Sequence, residues 1–191
     1  SNPELACRDP NHVAVTGRTP LAEPFRETGF FTPSNLSGDI LRSLEEIAAR
    51  SIAAISPDVP PTGAFHTEIK LTDDGLRVIE VNGRPGGIWI PEIVEMVGGP
   101  SIRTLAGQAA LGLRLALSEE LGREGVGYEL QFQPPFGAVR LNDLQGVQEV
   151  SRLDGVRVAT LSKQPGAALD WREGTVCSLF TVVGVAKDHA A

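Results

Sequence analysis

Cysteines and clusters of positive charge are scarce in this chain of 191 residues. The two cysteines, Cys7 and Cys177, form neither a CxxC pair nor the dense pattern of a disulfide scaffold, so we expect a reducing compartment. Lys and Arg number 17 against 24 Asp and Glu, which gives a formal net charge of -7, and no basic run occurs. Nucleic acids and anionic membranes attract clustered Lys and Arg, so neither is expected as a partner.

Long apolar runs are missing as well. No stretch approaches the roughly 20 apolar residues that span a bilayer, and the first residues lack the basic and apolar regions of a signal peptide. With 41% hydrophobic residues the chain still has enough apolar surface for a core, and a chain of this size buries on the order of 70% of its unfolded surface. We therefore expect a cytoplasmic protein with one or two compact domains.

The most informative stretch covers residues 63–87. Two segments of alternating character flank Asp73-Asp74-Gly75, a sequence typical of a hairpin turn because its glycine can take a positive φ. A three-residue loop would pair Thr72 with Leu76, and the register that follows places Glu68 opposite Glu80. The same register opposes His66 to Asn82, Thr67 to Val81, Ile69 to Ile79, Lys70 to Val78 and Leu71 to Arg77.

Two carboxylates opposed on neighbouring strands repel each other, at a cost of up to roughly 1 kcal/mol. Mg²⁺ would compensate, because it takes oxygen ligands and is usually held by one or two carboxylates together with phosphate oxygens. Asn82 adds an amide oxygen one diagonal step away, so Glu68, Glu80 and Asn82 are the predicted metal ligands. The alternative is that both glutamates are solvated, with Lys70 or Arg84 as a partner.

A permissive turn, Gly83-Arg84-Pro85-Gly86-Gly87, follows the hairpin directly. It would place the Arg84 guanidinium beside the predicted metal site. A guanidinium and a metal ion are a common combination for binding phosphate oxygens. The pattern therefore indicates phosphate chemistry at this end of the hairpin.

These residues, from His66 to Gly87, resemble the metal-binding end of the ATP-grasp superfamily. The match looks most like the branch of L-amino-acid ligases, with carbamoyl-phosphate synthase and biotin carboxylase as more distant relatives. The resemblance implies that Glu68, Glu80 and Asn82 hold Mg²⁺ ions that bridge the ATP phosphates, with Mn²⁺ as an alternative ion. It also implies a catalytic role for Arg84, which would contact phosphate and stabilise an acyl-phosphate intermediate.

The resemblance extends to substrate-binding positions. Residues 25–33 are similar to a segment of the amino-acid ligase branch in which a glutamate pairs with the amino group of the substrate, and Glu27 matches that glutamate. Phe30 stands where some members carry a histidine, so recognition of the amino acid would differ in detail. A surface carboxylate is the alternative interpretation of Glu27.

Further substrate contacts are predicted around the glycine turn. The backbone amides of Gly86 and Gly87 would face substrate, and Trp89 would line the same pocket. His66 would touch substrate or orient one of the glutamates. A general base is not needed in such a reaction, because the amine attacks an already activated acyl phosphate and the rate comes from positioning and charge neutralisation.

The remaining patterns predict an α+β fold. Apolar residues at helical spacing predict helices over residues 38–55, 91–97 and from 100 to about 121. Runs of β character predict a weak strand at 12–16 and further strands at 128–133, 136–141, 156–161 and 176–185. We interpret residues 1–122 as the C-terminal portion of an ATP-grasp domain, an antiparallel sheet with packed helices, and residues 123–191 as a small β-rich C-terminal domain.

These observations predict part of an ATP- and Mg²⁺-dependent ligase that joins a small-molecule carboxylate to an amine, as amino-acid and dipeptide ligases do. The lysines that hold the ATP phosphates in the family, and a glycine-rich phosphate loop, are not found before residue 60, so we expect a fragment that turns over poorly by itself. Two alternatives stay open. One is another ATP-grasp ligase, biotin-carboxylase-like or of the purine pathway, and the other is a non-catalytic scaffold or dimerisation unit. Exposed strand edges would favour a homo-oligomer.

Overall fold

The computed structural model describes residues 13–55, 57–58, 61–113, 115 and 124–190. The strands are β1 (Gly17–Arg18), β2 (Gly29–Thr32), β3 (His66–Thr72), β4 (Gly75–Asn82), β5 (Val126–Phe132), β6 (Val156–Leu161) and β7 (Phe180–Ala186). The helices are α1 (Gly38–Ile55), α2 (Ile90–Met96), α3 (Ile102–Ala110) and α4 (Val147–Val150), with a 3-10 helix at Trp171–Cys177. The predicted α+β class is confirmed. Across the described ranges, every helix is too short or too polar to cross a membrane.

The main sheet has five antiparallel strands in the order β1-β2-β5-β7-β6. Helix α2 lies across β2, β5 and β7 on one face, where Ile93 and Val94 are fully buried. The approach is close, because a Cβ added to Gly127 on β5 would lie 2.5 Å from the Ile93 carbonyl oxygen. This packing fixes the start of α2, and with it the glycine turn, over the centre of the sheet.

The opposite face of the sheet carries the larger apolar core. Its buried members come from β7, from the 3-10 helix and from the loops before β7: Leu141, Leu169, Cys177, Leu179, Phe180 and Val182. Cys177 is a free thiol with no exposed surface, so it packs as a small apolar residue. The sheet is thus covered on both faces by different parts of the chain.

The hairpin of β3 and β4 forms a separate two-stranded sheet, and α1 packs against it. The bounds of α1 match the predicted helix, because its apolar residues recur at helical spacing and Leu44 is buried beneath it. The hairpin is therefore supported by a helix that contacts both of its strands.

Several predicted elements are wrong at their ends. The described residues 13–16 are not a strand, and β1 instead covers Gly17–Arg18. Helix α3 ends at Ala110 because Gly112 takes a φ of +69°. The strand predicted at 136–141 is reduced to a single bridge from Arg140 to Ala168. The strand predicted from 176 starts at Phe180, after the 3-10 helix.

The predicted domain boundary at 122 and the predicted end of α3 near 121 lie outside the described residues, as do Cys7 and His12.

Candidate functional site

The register of the hairpin brings Glu68 opposite Glu80 and His66 opposite Asn82, as predicted. The turn itself differs from the prediction. Only Asp73 and Asp74 form the loop, Gly75 takes a φ of +101°, and Thr72 pairs with Gly75. The pairs predicted between the turn and Glu68 are therefore wrong. The observed pairs are Ile69 with Val78, Lys70 with Arg77 and Leu71 with Leu76.

A bulge reconciles this short turn with the paired glutamates. Glu68 opposes Glu80, but its neighbour Ile69 opposes Val78, so Ile79 is an extra residue on β4. A bulge of this kind moves the register by one residue. It compensates for the loop being one residue shorter than predicted, and the two carboxylates face each other as a result.

The acidic end of the hairpin offers three oxygen-bearing side chains. Asn82 donates from Nδ2 to Glu80 Oε1 over 2.6 Å, which leaves its amide oxygen as the atom that could bind a cation. Among the described residues, no group of three or more His, Cys, Asp and Glu side chains is arranged to hold a metal. Two carboxylates and an amide nevertheless fit Mg²⁺, which takes its remaining ligands from water and phosphate.

His66 lies within the field of these acids. Burial lowers the pKa of His66, and the charges of Glu68, Arg84 and Glu80 act on the same ring, the two glutamates raising the pKa and the arginine lowering it. Its Nδ1 is buried and has no hydrogen-bond partner among the described residues. Burial therefore favours the neutral form of His66, and the charges of the two acids oppose that effect.

The glycine turn places Arg84 at the same end. The guanidinium is exposed, and its Nη1 donates to the Pro85 carbonyl oxygen over 3.0 Å. A Cβ added to Gly87 would lie 3.7 Å from this nitrogen, and one added to Gly86 would lie 2.9 Å from Cγ2 of Ile90. The backbone of the turn is thus held close to the start of α2, with the guanidinium lying over it.

Glu27 belongs to the same neighbourhood. Its Oε1 lies 3.6 Å from Arg18 Nη1, and Gln133 donates to its backbone oxygen over 2.8 Å. Burial raises the pKa of Glu27, and the charge of Glu68 raises it further, whereas Arg18 and the hydroxyl of Thr175 lower it. The structure therefore couples the predicted substrate-binding glutamate electrostatically to the predicted metal site.

Glu129 is a buried acid that the sequence analysis did not identify. It has no exposed surface, and its Oε2 accepts the backbone N–H of Trp89 over 3.4 Å. Desolvation raises the pKa of Glu129 to about 7, and the charges of Glu27 and Glu92 act in the same direction. In the sequence, Glu129 is one of the polar residues that alternate with apolar ones in the run at 128–133. That pattern by itself does not reveal that α2 covers the polar side of the strand.

The side chains described above form two groups. Glu68, Glu80 and Asn82 present oxygen atoms beside the positive charge of Arg84. The second group lies at the sheet, where Glu27 is the acid nearer to the hairpin and Glu129 is bonded to Trp89. Such a site can bind a cation with a phosphate group at one end and a positively charged group at the other.

Comparisons with known proteins agree with the resemblance seen in the hairpin. No protein-family model matches the chain. Carnosine synthase 1 of Gallus gallus is 32% identical in an alignment that covers 68% of this chain and 16% of the relative. The chain therefore spans about a sixth of that relative.

Solved structures of other ligases share the fold. The L-amino acid ligase of Bacillus licheniformis matches with a TM-score of 0.73 at 20% identity, over 87% of this chain and 40% of that one. Phosphoribosylglycinamide synthetase of Anaerococcus prevotii matches with a TM-score of 0.71 at 18% identity, over 96% and 46%. N5-carboxyaminoimidazole synthase of Aspergillus clavatus, in complex with ADP and a ribonucleotide, matches with a TM-score of 0.61 at 19% identity, over 89% and 42%. The chain therefore shares its fold with ATP-grasp ligases and spans less than half of each of these solved structures.

Proposed function

We propose that this chain is the metal-binding and amine-binding part of an ATP-dependent ligase that joins a carboxylate to an amine. The observation that carries the proposal is the pairing of Glu68 with Glu80, with Asn82 beside them and Arg84 next along the chain. The similarity to carnosine synthase 1 and to an L-amino acid ligase supports it, because the first name describes a synthase and the second a ligase of amino acids.

The chemistry of the donor set supports magnesium at the acidic end. Glu68 and Glu80 would each offer a carboxylate oxygen and Asn82 its amide oxygen, and phosphate oxygens and water would complete the octahedral shell. The bound ion would screen the negative charge of the ATP phosphates. It would also remove the repulsion between the two opposed carboxylates, which the protein without metal has to tolerate.

Arg84 and the glycine turn would bind the group that is transferred. The planar guanidinium can donate two parallel hydrogen bonds to phosphate oxygens, which fixes their orientation as well as balancing their charge. The backbone N–H groups of Gly86 and Gly87 would lie next to it, where no side chain obstructs the approach. These donors would act on charge that develops during transfer, which is the most effective form of electrostatic stabilisation.

Glu27 would bind the ammonium group of an amino-acid substrate, which is not the neutral amine that attacks the acyl carbon. Its carboxylate is partly desolvated and lies beside another acid, so a cation would be attracted to it more strongly than to an exposed glutamate. Thr175 and Arg18 hold the carboxylate in place. An ammonium group is the cation that a carboxylate of this kind binds in an amino-acid substrate.

The reaction would take place in two balanced steps. A carboxylate oxygen of the first substrate attacks the γ-phosphorus of ATP, and the bond to the β-phosphate oxygen breaks to release ADP. The neutral amine of the second substrate then attacks the acyl carbon, phosphate leaves with the electron pair of the C–O bond, and the amine gives up its proton. His66 is not required as a base, since the leaving phosphate can accept that proton.

The test is the thermal unfolding midpoint of this chain with and without Mg²⁺ and ADP. A ligand that binds the folded state raises stability by mass action, by about 2.7 kcal/mol at a concentration 100 times its Kd. The midpoint should rise for the unmodified chain and for Glu149→Ala, an exposed acid on α4, but not for Glu80→Ala. An equal rise in Glu80→Ala would contradict the metal assignment, and no rise in any variant would contradict nucleotide binding by this chain.

A purine-pathway ligase is the second candidate, because phosphoribosylglycinamide synthetase and N5-carboxyaminoimidazole synthase share the fold to a similar extent. The two candidates differ in the amine substrate. Phosphate release from ATP by the ligase that contains this chain should increase with amino acids in the first case and with an amino ribonucleotide in the second.

A further inference from the structure

Glu129 occupies a fully buried position on the main sheet. It lies on the central strand β5, opposite Phe30 of β2 on one side and Val183 of β7 on the other. None of its surface is exposed. A carboxylic acid in such a position is costly unless hydrogen bonds satisfy it, so its presence needs an explanation beyond packing.

Its partners account for both carboxyl oxygens. Gln131 donates from Nε2 to Oε1 over 2.8 Å, and the backbone N–H of Trp89 donates to Oε2 over 3.4 Å. The charged groups that face it are Glu27, before β2, and Glu92, on α2, and both are acids. Within the described ranges, no positively charged side chain bonds to Glu129 or acts on its charge, so a salt bridge does not explain the acid.

The bond to Trp89 reaches a segment with an unusual backbone. Ile88 has a φ of +53°, a strained region that β-branched residues rarely adopt. Trp89 then caps the start of α2 without a side-chain hydrogen bond of its own. The segment leads from Gly86 and Gly87 into the helix, so its conformation determines where the backbone amides of the glycines point.

We propose that Glu129 is a positioning residue, which holds the segment from Gly86 to Trp89 in its conformation through the backbone N–H of Trp89. The proposal rests on the proposed function, in which the amides of this segment face the transferred phosphate. The raised pKa of Glu129 supports it. A carboxylate that takes up a proton near neutral pH changes from a strong hydrogen-bond acceptor into a weaker one, and this change falls in the pH range in which enzymes work.

The test is an NMR titration of the chain with pH, following the carboxyl carbon of Glu129 and the backbone amides of Ile88 and Trp89. We expect the Trp89 amide to titrate with the same midpoint as Glu129, near 7. In Glu129→Gln, which keeps an acceptor oxygen of the same shape, this titration should disappear while the fold remains. In Glu95→Gln, which removes an exposed acid of α2, it should persist.

Three outcomes would overturn the proposal: a Trp89 amide that does not respond when Glu129 titrates, different midpoints for the two groups, or an unchanged response in Glu129→Gln. The wild-type titration decides the question even if Glu129→Gln does not fold. It requires neither Mg²⁺ nor nucleotide, so a chain that passes this test but is not stabilised by Mg²⁺ and ADP would contradict metal and nucleotide binding by this chain and leave the role of Glu129 standing.

Discussion

Glu68 and Glu80 face each other across β3 and β4 only because Ile79 bulges out of β4. A hairpin with the same two-residue turn and no bulge would place Ile79 opposite Glu68 and separate the two acids. The bulge is thus a local irregularity that creates the candidate metal site. Bulges are over-represented next to active sites because they redirect side chains.

The first prediction concerns the repulsion between these acids. Glu68→Gln should raise the stability of the metal-free chain by up to about 1 kcal/mol, because it removes one of two opposed like charges. The same variant should lose the stabilisation by Mg²⁺ and ADP. Denaturant unfolding with and without the ligands measures both effects.

The control for Glu68→Gln is Glu149→Gln, which removes an exposed acid on α4 and lowers the net negative charge equally. It should keep the stabilisation by Mg²⁺ and ADP. A Glu68→Gln chain that is less stable than wild type without metal would show that the carboxylate is held by a partner and does not repel Glu80.

The second prediction is the pH dependence of Glu129. The folded-state pKa of Glu129 is raised from 4.5 to about 7, so between these values the folded chain binds more protons than the unfolded chain. The stability contributed by Glu129 is therefore fully present below pH 4.5 and is lost as pH rises through 7. Since one pKa unit corresponds to about 1.4 kcal/mol, Glu129→Gln should gain roughly 3 kcal/mol relative to wild type over this interval.

Urea unfolding of wild type and Glu129→Gln across that pH range measures the difference directly, since glutamine does not titrate. Glu95→Gln should show no comparable gain. A difference between Glu129→Gln and wild type that stays constant with pH would mean that Glu129 titrates alike in the folded and unfolded chain.

The elements that the sequence predicted correctly depend on local patterns. Helix α1 was bounded correctly because its apolar stripe is continuous from Gly38 to Ile55 and a proline-rich segment follows. Strand β6 was bounded correctly for a similar reason, as a short apolar run after Asp154-Gly155. The pairing of acids at the end of the hairpin, and the likeness of the chain to ATP-grasp ligases, were also predicted from contiguous residues.

The elements that were missed depend on contacts between distant parts of the chain. Glu129 alternates with apolar residues and so has the pattern of a solvent-facing side chain, but α2, about 40 residues earlier, covers it. The short strand β1 exists because Gly17 and Arg18 pair with β2. The bulge at Ile79 has no distinct sequence signal, since the residues around it continue a regular strand pattern.

The third prediction concerns the pair of Arg18 and Glu27. Arg18→Ala should raise the pKa of Glu27 further, because it removes the positive charge that now lowers it against burial and the charge of Glu68. NMR titration of the Glu27 carboxyl carbon measures the shift. Arg152→Ala, at an exposed arginine beyond α4, should leave that titration in place, and an unchanged Glu27 in Arg18→Ala would mean that the 3.6 Å pair is not formed in solution.

The fourth prediction compares two glycine-to-alanine substitutions. A Cβ at Gly86 would lie 2.9 Å from Cγ2 of the buried Ile90, so Gly86→Ala should destabilise the chain by about 1–3 kcal/mol and displace the turn. Gly107 lies inside α3, and a Cβ there would meet nothing within 4 Å in the described part of the chain. Gly107→Ala should therefore stabilise the chain by about 0.5–1 kcal/mol, as alanine does inside helices.

Denaturant unfolding of the two variants tests the close approach at Gly86, because both add the same methyl group. Ile90→Ala makes room for that methyl group. In the double variant, Gly86→Ala should therefore lower the free energy of unfolding much less than it does beside the isoleucine. If the two single variants have opposite effects and the double variant is non-additive, position 86 must be glycine because Ile90 lies too close for a side chain. If Gly86→Ala were as harmless as Gly107→Ala, the turn would not be held against α2, and the amides of Gly86 and Gly87 would have no fixed direction toward a phosphate group.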